Sequence, residues 1–349
     1  MNKRVTLSLC RYILSLTILI LLALGLFLWW ALGPTLPLYS SLPIDITSNA
    51  SSPPAPNALS VVTYNIGHAQ GIKANAWDYR NQEVTKKQLS MLADAMVAMN
   101  ADIFLLQEVD LDSTRTFHVN QLDFIKERTK HPYSACAVVW FKHYLPFPYW
   151  PPSEHLGSMY SANCILSRFP LSNHERIIFE KPQSNPFWYN WGYIDRGIQR
   201  ADVKVGDENI ALLNVHLEAW DMPTREKQIK ILKDYMEKLK KPIILGGDFN
   251  TVLPGASKLT GFADDPKANY ENEKTLSWFM EALPGLKVPT LKASADPHEL
   301  YTFPSDHPDR RLDHIFLYGG HLSFLDYRVV KEAKTASDHL PIMARINYR

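Results

Sequence analysis

Pro242-Ile243-Ile244-Leu245-Gly246-Gly247-Asp248-Phe249-Asn250 sets an apolar run, a glycine pair and two polar residues split by one aromatic in a single stretch. The apolar run reads as a buried strand, and the glycines let the backbone turn sharply or approach a neighbour closely. Residues two apart on an extended chain point the same way, so Asp248 and Asn250 can face one site while Phe249 packs behind them. An Asx turn closing the strand would use the same residue types. The choice between turn and site rests on the rest of the chain.

Immediately upstream, Ile229, Leu232, Met236 and Leu239 recur at helical spacing. Before them Ile210 to Leu217 reads as a strand ending in Asn214-Val215-His216, paired with Ile198 to Val205 through a turn at Gly206-Asp207-Glu208-Asn209. Strand, helix, strand is the alternation of an α/β layer. The pattern has a counterpart nearer the N-terminus. Leu59 to Tyr64 is β-rich and ends in Asn65, and Leu89, Leu92, Met96 and Met99 mark one apolar helical face, with the methionines read as core. Asp102 to Val109 is then an apolar strand carrying Glu108, a carboxylate that is costly there unless exposed, hydrogen-bonded or compensated by a cation. Ser161 to Arg168 reads as a further strand, with Asn163 a candidate phosphate or metal neighbour. Late in the chain Asp313 opens an apolar strand, and the adjacent Asp338 and His339 precede the last one. Carboxylates, amides and histidines thus recur at strand ends.

The first 33 residues have a different character. Tyr12 to Leu32 carries no charge and ends near Trp29-Trp30, and at about 1.5 Å per residue it covers a hydrocarbon core of roughly 30 Å. Lys3, Arg4 and Arg11 precede it, so the positive-inside bias leaves the N-terminus cytoplasmic and the remainder extracytoplasmic. An uncleaved anchor is expected, with secretion after signal cleavage as the alternative. Residues 34–57, rich in Pro, Ser and Asn, read as an extended tether, and 58–349 as the catalytic domain. Two aromatic segments, His143 to Pro152 and Phe187 to Tyr193, read as loops that form a binding rim, touch a membrane interface, or fold over a small core of their own. Cys136 and Cys164 could pair, but small buried hydrophobes are the expectation. The chain has a formal charge of +1; its first 57 residues hold three basic and one acidic side chain, leaving about −1 for the rest. No strong basic field exists to gather polyanions at long range, so nucleic acid is the disfavoured partner.

Taken together, Thr63-Tyr64-Asn65, Leu106-Gln107-Glu108, Asn214-Val215-His216-Leu217, Gly246-Gly247-Asp248-Phe249-Asn250, Leu312-Asp313-His314-Ile315 and Ser337-Asp338-His339-Leu340-Pro341 resemble the endonuclease/exonuclease/phosphatase superfamily, from about Leu59 to the C-terminus. The resemblance implies a deoxyribonuclease-I-like four-layer α/β sandwich of two mixed β-sheets flanked by helices. It implies a metal-dependent phosphoesterase using Mg2+ or Mn2+, with Asn65, Glu108 and Asp338 at the metal. By the same resemblance Asp248 orients or deprotonates the attacking water, Asn250 fixes Asp248, and His339 meets a phosphate oxygen with Asp313 orienting its ring. His216 donates to the phosphate or to the leaving group. Many members carry an acid or amide where this chain has Gly67, which counts against a second metal. A monomer acting on a phosphate ester, preferably of a phospholipid head group, is expected. A nuclease on DNA or RNA is the alternative, and an inactive anchored binding module a second.

Overall fold

Two segments fold as strand, helix and parallel strand, and each supplies the centre of one sheet. In the computed structural model, which describes residues 3–46, 53–72, 81–289 and 297–349, the elements run α1 (Lys3–Leu32), β1 (Tyr39–Ser41), β2 (Asp45–Ile46), β3 (Leu59–Asn65), α2 (Gln82–Met99), β4 (Ile103–Asp110), α3 (Gln121–Thr129), β5 (Tyr133–Leu145), β6 (Gly157–Ser167), β7 (Leu171–Ile178), α4 (Phe187–Gly192), β8 (Gly197–Val205), β9 (Glu208–His216), α5 (Met222–Lys238), β10 (Ile243–Asp248), α6 (Thr275–Ala282), β11 (Leu286–Lys287), β12 (Asp313–Tyr318), β13 (Ser323–Val329) and β14 (Ile342–Asn347). One sheet has the order β1-β7-β8-β9-β10-β12-β11, the other β13-β14-β3-β4-β6-β5-β2. The parallel pairs are β9 with β10, crossed over by α5, and β3 with β4, crossed over by α2.

The layers follow from side-chain alternation. Leu59, Val61, Ile103 and Leu105 of one sheet meet Ile210, Leu212, Ile244 and Ile315 of the other in the central core. Leu89, Leu92 and Met96 of α2 cover the outer face of the first sheet, and Ile229, Leu232 and Met236 of α5 cover that of the second. Both crossover helices start on a side-chain cap. Asn81 accepts from the Glu83 and Val84 amides, and Asp221 accepts from the Thr224 amide, each cap worth about 1 kcal/mol. The expected four-layer α/β sandwich of two mixed β-sheets is the observed one.

The glycine pair of β10 serves close approach and not a turn. A Cβ on Gly246 would lie 2.7 Å from Leu105 Cδ1 of the facing sheet, and one on Gly247 2.0 Å from the Val215 carbonyl oxygen of β9. β10 therefore runs straight to Asp248.

Several expectations need correction. Residues 34–57 are not simply an extended tether: Tyr39–Ser41 pairs antiparallel with β7 and Asp45–Ile46 with β5, adding an edge strand to each sheet. Residues 47–52 of that segment lie outside the described residues. The end of α1 is held directly on β5, with Lys142 Nζ donating to the Leu32 carbonyl at 3.0 Å, His143 Nδ1 2.7 Å from the Trp30 carbonyl, and the Trp30 and His143 rings stacked. These contacts cap carbonyls that the last helical turn leaves open. The aromatic segment His143 to Pro152 begins inside β5, and Phe187–Gly192 is a short helix in place of a loop. Cys136 and Cys164, cross-strand partners on β5 and β6, form a disulfide with Cα atoms 4.2 Å apart. Closing a loop of this sequence separation, 28 residues, stabilises by roughly 3–4 kcal/mol in the chain-entropy account.

Candidate active site

The register of the two sheets assembles the site. Asp248 ends β10 and pairs on one side with His216, the last residue of β9, and on the other with Asp313, the first of β12. One row across the sheet thus offers a histidine and two carboxylates. In the facing sheet Asn65 ends β3 opposite Gln107 of β4, and the Asp338-His339 pair stands just before β14, which pairs with β3. Ends of parallel strands are where open α/β sheets present their ligand-binding groups.

Glu108 reaches this point through a local irregularity. The β4–β6 register shifts between Leu106 and Val109, and Glu108 has a φ of 57°. A bulge of this kind re-aims a side chain, and here it turns the carboxylate out of the apolar strand toward the strand ends. Glu108 Oε2 then lies 2.8 Å from His68 Nε2, and Oε1 lies 3.4 Å from Asn65 Nδ2. Asn65 Nδ2 also donates to Asp248 Oδ2 at 3.0 Å, while its Oδ1 accepts from the Gly67 amide. The two sheets are thereby tied across the site by one amide.

Asp248 is almost wholly buried, and its Oδ1 accepts from the Asn250 amide at 2.9 Å. Asn250 has a left-handed backbone, with a φ of 51°, and its Nδ2 donates to the Leu217 carbonyl. The Asx turn and the site are therefore both present. Asp248 Oδ2 faces His216 Nε2 at 3.4 Å and His339 Nε2 at 3.7 Å. Burial pushes the Asp248 carboxyl up to about 6, and the negative charge of Asp313 adds to that against the opposing pull of His339 and the Asn65 and Asn250 hydrogen bonds. His339 Nδ1 is 2.8 Å from Asp313 Oδ2. Burial would lower that imidazole, but the charges of Asp313 and Asp248 outweigh it and raise it, holding the ring cationic. Phe303 packs against the ring with centroids 4.6 Å apart.

His216 differs. Its Nε2 is 2.6 Å from Arg196 Nη1, and burial followed by the Arg196 charge lowers it well below the ordinary imidazole value. A neutral ring accepting at Nε2 has no proton on that nitrogen to give, so the expected donation from His216 to a phosphate or leaving group is not what this geometry supports. Arg196, itself buried, is the cation at that position, and its Nε has no hydrogen-bond partner among the described residues.

All the residues expected at the site are brought together there, except that Asp338 sits at its half-exposed edge, where Ser337 Oγ donates to its Oδ1 at 3.2 Å. A Cβ on Gly67 would lie 2.5 Å from that same Oδ1. Asp338 thus fills the space that a side chain at 67 would need. Three participants were not assigned from sequence. His68 and Arg196 follow or precede a strand with no spacing that marks them. Arg115 belongs to a short 3-10 turn, Thr114–Thr116, between β4 and α3 and meets His68 Nδ1 at 2.7 Å while gripping Asp110. Asn214, by contrast, is core: Gln107 Nε2 donates to its Oδ1 at 2.6 Å, and its Nδ2 donates to the Leu106 carbonyl and to Gln199 between the sheets.

A divalent cation fits this donor set. Asp248 lies against a second carboxylate, Asp313, and among the described residues Asp313 Oδ1 is buried without a hydrogen-bond partner, as are both side-chain amide atoms of Asn163, whose neighbour Cys164 pairs with Leu106 beside the Glu108 bulge. Asp248, Asp313 and His339 also bring one ligand atom each within 4.8 Å of one another, a group that could hold a metal ion. A surface depression lined by Met236, Lys240, Lys241 and Tyr318 lies at the opposite end of β10 and takes no part in the site.

The family model described as Endonuclease/Exonuclease/phosphatase family matches residues 62–339. No curated protein matches the sequence. Among solved structures, an endonuclease/exonuclease/phosphatase from Beutenbergia cavernae is similar at 19% identity with a TM-score of 0.57, covering 84% of this chain and 72% of its own. The mannosyl-6-phosphatase Bt3783 of Bacteroides thetaiotaomicron is similar at 18% identity and a TM-score of 0.54, covering 82% of this chain and 99% of its own. D. rerio TDP2, complexed with a single-strand DNA product, is similar at 14% identity and 0.54, covering 84% of this chain and all of its own (100%). The chain belongs to the endonuclease/exonuclease/phosphatase family and is a phosphoric-ester hydrolase.

Proposed function

We propose that this family member hydrolyses a phosphate ester at a membrane surface, with a phospholipid head group as the preferred substrate class. The observation that carries the chemistry is the row His216, Asp248 and Asp313 facing Asn65 and Glu108 across the gap between the sheets, with His339 bridging Asp248 and Asp313. Asp248 Oδ2 is the base that takes the proton of an attacking water, since its raised pKa lets it hold that proton, and the Asn250 amide fixes its other oxygen. His339, cationic and oriented by Asp313, donates from Nε2 to a non-bridging phosphate oxygen. Arg196 supplies the second positive charge, and His216 positions Arg196.

Asn65, Glu108 and Asp338 would hold Mg2+ or Mn2+, all-oxygen donors of the kind Mg2+ prefers, and the bound ion would neutralise phosphate charge. The Asp248, Asp313 and His339 group is the weaker metal candidate, because an imidazolium has no lone pair for a cation.

The lipid preference rests on α1, whose segment Ser8–Leu32 is long and apolar enough to cross a membrane, and on the absence of net positive charge. On this reading the N-terminus is cytoplasmic and the catalytic domain extracytoplasmic, where the Cys136–Cys164 disulfide is at home. A nuclease is the second reading, favoured by the DNA-bound TDP2 among the similar structures. Release of phosphorylated head groups from liposomes, set beside nicking of plasmid DNA, separates the two. Head-group release with intact plasmid supports the lipid reading; strong nicking with inert liposomes overturns it, and no turnover on either with Mg2+ or Mn2+ overturns both substrate readings.

A further inference from the structure

The aromatic segments are not folded over a core of their own. Tyr149, Trp150, Phe187, Trp188, Trp191 and Trp220 remain between 47% and 78% exposed. They come from three separate parts of the chain and still form one surface. Gly192 of α4 lies so close to the end of β5 that a Cβ there would be 2.6 Å from Leu145 Cδ1, and Trp140 Nε1 of β5 donates to the Gly192 carbonyl at 2.9 Å. Phe187 touches both Trp188 and Trp191, with centroids 5.2 Å away in each case. Tyr189 packs at a tilt against Tyr193, with centroids 5.6 Å apart, and Tyr193 meets Trp220 edge-on at 6.2 Å.

One border of this surface is the end of α1. Adjacent β5 residues carry the two neighbours, Tyr144 meeting Phe27 of α1 and Leu145 meeting α4. Ser8–Leu32 spans 25 residues, about five more than a hydrocarbon core of roughly 30 Å needs. That surplus includes Arg11 at the cytoplasmic end, and the uncharged remainder, Tyr12 to Leu32, closes on Trp29-Trp30, the residue type that favours the interface; this is the end held on β5, so the strand end comes to lie at head-group depth. The other border is the site. Tyr193 Oη donates to Glu218 at 2.6 Å and the Trp220 amide donates to the same carboxylate, two residues beyond His216.

We propose that the aromatic surface formed by α4, the loop after β5 and Trp220 docks on the interfacial layer of the bilayer that α1 crosses, holding the mouth of the active site at head-group level. Tryptophan and tyrosine are the residues that favour this layer, apolar on the ring and polar at one edge. Because α1 is clamped to β5 and not joined by a free tether, spanning by α1 fixes which face of the domain meets the lipid. The inference rests on the anchor reading given above.

The test uses the full chain with Cys10→Ser, spin-labelled at a single new cysteine replacing Trp150, Trp188 or, as a control on the distant helix α2, Asp94. Each protein is reconstituted into phosphatidylcholine vesicles containing a minority of phosphatidylglycerol. Flotation with the vesicles after carbonate washing checks the anchor separately. Labels at 150 and 188 are expected to collide preferentially with oxygen, and the label at 94 with a water-soluble nickel chelate. Floating protein whose labels at 150 and 188 are as open to nickel as that at 94 overturns the docking while leaving the anchor standing; protein that does not float overturns both. The Trp150→Ser/Trp188→Ser variant is expected to lose roughly tenfold in turnover of a vesicle-borne phosphodiester and nothing on soluble bis-p-nitrophenyl phosphate. An equal loss on both substrates overturns the proposal.

Discussion

Two buried carboxylates flank Glu108 and live in opposite worlds. Asp110, on β4, is fully satisfied: Arg115 grips both oxygens at 2.8 and 2.9 Å, Thr116 donates at 3.1 Å, and Ser161 adds a further hydrogen bond. Burial alone would raise it, but the Arg115 and His68 charges outweigh that and hold it far below the usual carboxylate range. Asp248, on β10, is equally buried, faces another carboxylate, and is pushed up. The difference teaches where the fold is braced and where it is held under charge. Asp110 closes a network that gains from being dry, whereas Asp248 carries a charge that His339 offsets only in part, as the proton acceptor proposed above requires.

The sharpest break of this comparison is by truncation. Asp248→Ala is expected to lower kcat by about a thousandfold or more with the circular dichroism spectrum unchanged, in the upper range for loss of a general base. Near-normal turnover would mean that the base is elsewhere. Asp110→Ala should do the reverse, costing roughly 3 kcal/mol in denaturant unfolding because it strands a largely buried arginine, Arg115, whose side chain is 11% exposed. A smaller loss would mean that Arg115 finds another partner. Metal addition comes next. Mg2+ at a hundred times its dissociation constant should stabilise the protein by about 2.7 kcal/mol and chelation should abolish turnover, with the stabilisation gone in Glu108→Gln. Equal stabilisation of the variant would move the metal away from Glu108.

The smallest effect, and the finest test, is the pH dependence of metal-free stability. Asp248 has a folded pKa of about 6, above its ordinary value of 3.8, so its charged form is disfavoured by folding. Stability relative to Asp248→Asn should therefore fall as pH rises from near 4 to about 6 and level off above. Asp110, lowered on folding, should contribute stability above the ordinary carboxylate value and lose it as pH falls further. Parallel curves for Asp248→Asn and Asp110→Asn would erase the distinction.

Much of this was legible in the sequence because the chemistry sits at strand ends, where an apolar run stops or starts at a polar residue. Asn65, Glu108, Asp248 and Asp313 all announce themselves that way. What was not legible depends on contacts between distant strands. Arg196 stands before a strand like many surface arginines, and only the β8–β9 register brings it to His216. His68 gains its part from the Glu108 bulge, which no periodicity reveals. The Cys136–Cys164 bond needs the β5–β6 register, and β1 and β2 are too short to leave a hydrophobic pattern, since edge pairing is made by backbone.

The wrapping of residues 34–46 has a practical consequence for anyone preparing a soluble fragment. A cut at residue 58, the natural choice from composition, would bare the outer edges of β7 and β5 and remove the Asp45 partner of Lys126. A start at Pro34 keeps both edges covered. It still leaves Lys142 without the Leu32 oxygen it now reaches from a buried position, so a Lys142→Met companion change belongs in the same expression series.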